Sequence, residues 1–72
     1  TSRETEILEM IASGYRNRQI AQNLHLSVGT VRSHVHRILG KLDCESRGQA
    51  AIKAITEGLV DNLQLEEIRL PA

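Results

Sequence analysis

Apolar residues recur along this chain at helical intervals, and residues suited to helix ends stand where the recurrence breaks off. Ile7, Leu8, Ile11 and Ala12 share one face of a first helix, predicted over about 2–13. Thr1-Ser2-Arg3-Glu4 has capping-box spacing at its start, and Gly14 stands where a left-handed stop belongs. Tyr15 and Arg16 lead to Asn17, a good N-cap, after which Ile20, Ala21 and Leu24 predict a short helix over about 18–24. His25 and Leu26 lead to Ser27, another N-cap, and from Val28 the pattern runs to Leu42 as the third and longest helix. Asp43, Cys44 and Glu45 make a turn before Ser46-Arg47-Gly48-Gln49, which repeats the capping-box spacing in its S-x-x-Q form. A fourth helix over about 47–57 follows, with Ala50, Ala51, Ala54 and Ile55 as its apolar face and Gly58 as its stop. Connections this short force consecutive helices to pack, so the expected fold class is all-α, a compact four-helix bundle. Leu63, Leu65, Ile68 and Leu70 fit neither a helical nor an alternating period. Residues 61–72 are therefore a C-terminal tail with no assigned element, and Pro71 predicts a frayed end.

The 72 residues suffice for one domain. A core of that size removes only roughly 60 % of the unfolded surface from water, so the domain is expected to gain from a partner or from a neighbour in a longer parent chain. Tyr15 is the single aromatic residue, which leaves the core to Leu, Ile, Val and Ala. One cysteine, Cys44, cannot form an internal disulfide, and the start is not signal-like; both point to a reducing cytoplasm. No apolar run approaches the roughly 18 residues of a membrane span.

A net charge of zero argues at first against a nucleic-acid partner. The distribution argues otherwise. Residues 1–15 sum to −2 and residues 42–72 to −3, whereas residues 16–41 hold Arg16, Arg18, Arg32, Arg37 and Lys41 with no acidic residue, together with His25, His34 and His36. Phosphates respond to such a local basic stripe rather than to the average.

At about 100° per residue, Val31, Val35, Ile38 and Leu42 of the third helix fall in one sector, with Leu39 at its margin. The opposite side collects Gly29, Arg32, Ser33, His36, Arg37 and Gly40. Small residues there allow close approach to a groove floor, while Arg32, which can give two parallel bonds to guanine, leads the candidates for base reading, with Ser33 and His36 beside it. Thr30, Arg37 and Lys41 lie at the flank, where phosphate contacts that fix register are expected. A plain solvated face is the competing interpretation. Leu24 to Ser27, between two packed helices, reads as the turn of a helix-turn-helix and favours the former.

The run Arg3-Glu4, Ile7-Leu8, Gly14, Asn17, Ile20-Ala21, Leu24, Ser27, Thr30-Val31, His34-Val35, Lys41-Leu42, Ser46-Arg47, Gln49-Ala50 and Gly58-Leu59 resembles the LuxR-type helix-turn-helix, also called the NarL/FixJ type, over about 1–60. That resemblance implies a bacterial transcriptional regulator's output domain, whose third helix reads the major groove and whose fourth can mediate a homodimer on DNA; Ala51, Ala54 and Ile55 are the candidate dimer residues, on a face that is either core alone or core on one side and a two-fold interface on the other. By position it implies base reading by Arg32, Ser33 and His36, and phosphate contact by Asn17, Arg18, Thr30, Arg37 and Lys41. It also implies an N-terminal receiver or sensing domain in the full-length protein, with RNA polymerase as a further partner. Arg32 stands where the family more often has Lys, Ser33 and His36 are variable positions, and Asp43 replaces a frequent Gly.

Other residues carry two readings. Gly29 is either clearance for DNA or tolerated slack in a first turn. His34, at the core's edge, is expected to be packed; His34 and His36 point apart on a helix, and no metal site or other cofactor is expected. Cys44 is expected to be a packed or idle thiol, Lys53 to face solvent, and Arg47 either to touch phosphate or to pair with Asp43 or Glu45. The chain has no Gly-rich phosphate loop, paired catalytic carboxylates or metal-ligand spacing, so no enzyme is expected. The alternative function is a helical docking module whose basic face meets an acidic protein.

Overall fold

Ten apolar side chains converge from every predicted helix: Ile7, Leu8 and Ile11 from the first, Ile20 and Ala21 from the second, Val31, Val35 and Ile38 from the third, Ala50 and Ala54 from the fourth. The computed structural model describes residues 2–59, in which α1 spans Ser2–Ala12, α2 Asn17–Leu24, α3 Val28–Leu42 and α4 Arg47–Thr56. Thr1 and residues 60–72, with the tail assigned to 61–72, lie outside the described residues. Ile7, Ile20 and Val31 are the largest side chains with no exposed surface, one from each of α1, α2 and α3. Leu24, Leu39, Leu42, Ala51 and Ile55 close the rim. α1 lies against both α3 and α4, and α2 against α3. The architecture is the all-α helical bundle that the periodicity predicts.

All four helices stop in the same way. After α1, Gly14 takes φ +90° and the Tyr15 amide donates back to Met10 O at 2.9 Å. Gly58 after α4 is also left-handed, with the Leu59 amide on Ala54 O at 2.7 Å. His25 and Asp43, each at φ 57°, do the same work after α2 and α3, followed by the bonds Leu26 N–H to Ala21 O and Cys44 N–H to Leu39 O, both 2.9 Å. This six-to-one bond satisfies carbonyls that would otherwise be orphaned. A left-handed backbone strains a residue with a Cβ by roughly 1–2 kcal/mol, which Asp tolerates better than most residue types.

The starts follow the predicted caps with two corrections. Ser27 Oγ accepts from the Thr30 amide at 3.1 Å and Ser46 Oγ from the Gln49 amide at 3.2 Å, as their spacing predicts. The Gln49 side chain, however, reaches the Glu45 amide at 2.7 Å rather than that of Ser46. Asn17 is not the cap of α2 but its first residue. The backbone of Arg16 is extended and occupies the cap position, its amide donating to Gln19 Oε1 at 2.8 Å. That releases the Asn17 side chain for another partner.

Lys53 corrects a further expectation: it does not face solvent. Its ammonium donates to Leu42 O at 2.7 Å, so a cation from α4 caps the negative end of α3. Ala54 is likewise a correction. It has no exposed surface and belongs to the core, so it cannot contribute to a dimer contact; the outward position on α4 is Ile52, 65 % exposed, with Ala51 and Ile55 partly covered.

Candidate nucleic-acid interface

Burying Val31, Val35 and Ile38 fixes the rotation of α3 and leaves its other side outward. Gly29, Arg32, Ser33, His36 and Arg37 line one open hollow there, and Arg32, Ser33, His36 and Arg37 are exposed. None of these four side chains bonds to another among the described residues, so their donors are free for a ligand. A Cβ built at Gly29 meets only Ser27 Oγ, at 3.9 Å. Packing therefore does not require a glycine at that position.

Thr30 sits at the near end of this face in a reciprocal arrangement with the cap. Ser27 Oγ accepts from the Thr30 amide and donates to Thr30 Oγ1 at 2.9 Å, which leaves the Thr30 hydroxyl hydrogen available. Arg18 is exposed on α2, and Asn17 beside it is half-buried. Asn17 Oδ1 accepts from Arg47 Nη1 at 2.6 Å, and Arg47 Nη2 donates to Tyr15 O at 2.6 Å. Arg47 thus has a structural role, but its partners are Asn17 and Tyr15 rather than Asp43 or Glu45.

Lys41 has an unpredicted partner. Its ammonium lies 2.8 Å from Glu4 Oε1, a contact that joins α3 to α1 across 37 positions of sequence. Glu4 is nearly covered, its side chain 11 % exposed, whereas that of Lys41 is 56 % exposed. A phosphate at Lys41 would share the ammonium with this carboxylate, and the exposed ammonium keeps further donors for it. The sequence marked Glu4 for a capping box and gave no sign of the ion pair, because the pairing depends on how α1 and α3 cross.

The Lys41 hydrogen bond holds the Glu4 carboxyl below the ordinary carboxylate range, against the opposing push of desolvation. A carboxyl with a depressed folded pKa contributes stability that is present above its unfolded pKa and lost as pH falls through the folded one. The melting temperature is expected to fall on acidification below about pH 4.3, and Glu4→Gln to flatten that part of the profile. Thermal melts across the acid range check this; an equally steep Glu4→Gln profile would assign the acid sensitivity to other carboxylates.

His34 lies half-buried, its Nδ1 shielded and without a hydrogen-bond partner among the described residues. Cys44 is half-buried, its thiol 3.6 Å from Leu42 O. No helix among the described residues is long and apolar enough to cross a membrane.

Comparison with known proteins agrees with this arrangement. Residues 1–54 match the family model for bacterial regulatory proteins of the luxR family. An uncharacterized transcriptional regulatory protein of Bacillus subtilis, YxjL, is 48 % identical over 60 residues, covering 83 % of this chain and 28 % of the relative. The response regulator protein VraR of Staphylococcus aureus is 47 % identical over 60 residues, covering 83 % of this chain and 29 % of the relative. The chain therefore spans less than a third of the length of these relatives. It belongs to the luxR family of bacterial regulatory proteins, of which it carries the DNA-binding helix-turn-helix.

Proposed function

We propose that this chain is the output domain of a response regulator and that α3 enters the major groove of double-stranded DNA. Arg32, Ser33 and His36 meet base edges; Thr30, Arg37, Lys41, Arg18 and Asn17 meet phosphates. The observation that supports this most directly is the uncommitted face of α3, where Arg32, Ser33, His36 and Arg37 border one hollow with no acidic neighbour along 16–41. The parent protein carries an N-terminal receiver domain, in keeping with the staphylococcal response regulator it resembles, and acts in the cytoplasm, where the chromosome is. The domain performs no catalysis; RNA polymerase is a partner of the assembled regulator. Two copies pair through the outer side of α4, with Ile52 beside Ala51 and Ile55, and read half-sites about one helical turn apart.

Titration of a mixed-sequence duplex at several salt concentrations tests the reading. The logarithm of the association constant should fall linearly with that of salt, with a slope of about −0.9 per phosphate neutralised. A salt-insensitive interaction, or none with any duplex, would favour docking on a protein instead.

A further inference from the structure

We propose that Arg47 is a positioning residue for DNA binding: it orients the side-chain amide of Asn17 so that Asn17 presents hydrogens, not oxygen, to the phosphate backbone. The inference rests on the DNA reading above and adds a residue that lies on neither helix of the helix-turn-helix pair.

Donor chemistry decides which end of that amide faces inward. A guanidinium has five N–H donors and no acceptor. Arg47 Nη1 lies 2.6 Å from the Asn17 amide, so only the oxygen of that amide can face it. A free asparagine presents either end by rotating about its last bond. Here the rotation is fixed by a charge-assisted bond, and Arg47 itself is held by its second contact, Nη2 to Tyr15 O at 2.6 Å. The Asn17 nitrogen and its two hydrogens have no partner among the described residues. A phosphate accepts hydrogens and repels a carbonyl oxygen, so the fixed orientation is the one that binds. Arg16 and Arg18 flank Asn17, and Gly14, Arg16, Arg18 and Gln19 line a second hollow at this end of α2. The cap arrangement makes this possible, because with Arg16 in the cap position the Asn17 side chain does not serve the α2 amides.

Geometry also separates Arg47 from a lysine. Arg bonds Asn17 and Tyr15 O together with its planar fork, whereas a lysine ammonium keeps the charge but is a single flexible point. Arg47→Lys is therefore expected to weaken binding of the 72-residue chain to a mixed-sequence duplex about fivefold, the worth of one hydrogen bond. The salt slope should stay as in wild type, because the variant keeps its charge and the weakened contact is that of an uncharged amide. Asn17→Asp keeps an acceptor for Arg47 and deletes the amide hydrogens. It should melt no lower than wild type and bind more weakly than Asn23→Asp, which adds the same charge at an exposed position of the same helix. If Arg47→Lys lowers the melting temperature but leaves affinity unchanged, Arg47 only braces the fold and the proposal fails. It fails equally if Asn17→Asp and Asn23→Asp bind alike, since Asn17 then meets no phosphate for Arg47 to serve, an outcome that can be read even if Arg47→Lys does not fold. Wild type without affinity for any duplex would overturn the DNA reading itself; wild type binding beside indifferent variants would remove only the role of Arg47.

Discussion

Val31→Asp is expected to abolish the folded state. Val31 has no exposed surface and meets the core that Ile7 and Ile20 fill from α1 and α2. A carboxylate there has no partner, and transferring an unpaired charge out of water costs several kcal/mol even when water partly follows it. A domain this small commands only about 3–5 kcal/mol of net stability. Circular dichroism should show the helical signal and the cooperative melt both lost, while Ser33→Asp, on the exposed side of the same helix, should melt close to wild type. A cooperative melt retained by Val31→Asp would mean that the inward side of α3 has been misassigned, and the base-reading face with it.

Arg32→Ala should have the largest effect on recognition. If its guanidinium grips a guanine with two bonds, removing it costs on the order of 1–3 kcal/mol and relaxes discrimination at one base pair. Arg18→Ala should instead weaken every duplex alike, since a phosphate contact carries no sequence information. The measurement is affinity against a panel of duplexes differing by single base pairs, begun from a sequence selected out of a random pool. A uniform loss for both variants would refute the division between reading and anchoring.

The core was almost fully legible in the sequence because it depends on one periodicity. Val31, Val35 and Ile38 fall on one side of a wheel wherever the other helices lie, and burial of that side is what turns Arg32, Ser33 and His36 outward. Leu42 and Leu39, also on or near that sector, are only partly buried and pack against the core from its rim. Ala54 shows where periodicity stops deciding. An alanine-rich face looks the same whether it meets the core or a partner, and only the crossing of α4 over α1 places Ala54 inside and Ile52 outside.

The polar struts were hidden for the same reason. Glu4 with Lys41, Lys53 with Leu42 O, and Arg47 with Asn17 and Tyr15 O each join one element to another. No spacing rule connects such residues. Each looked locally like something else: a cap partner, a phosphate contact, a solvated cation. Two of the four helix stops escaped notice too, since His25 and Asp43 adopt the left-handed backbone without being glycine.

Those four repeated stops govern how such a domain can be controlled. Each linker is closed by its own backbone bond, and one residue after each helix holds the chain's change of direction, so the helices of residues 2–59 are tied end to end through their own backbone. In the regulator proposed above, a signal would then act on the body as a whole, by covering it, releasing it or bringing a second one alongside. Affinity would be set by how many such bodies are presented and how they are aimed, while the shape of each stays the same.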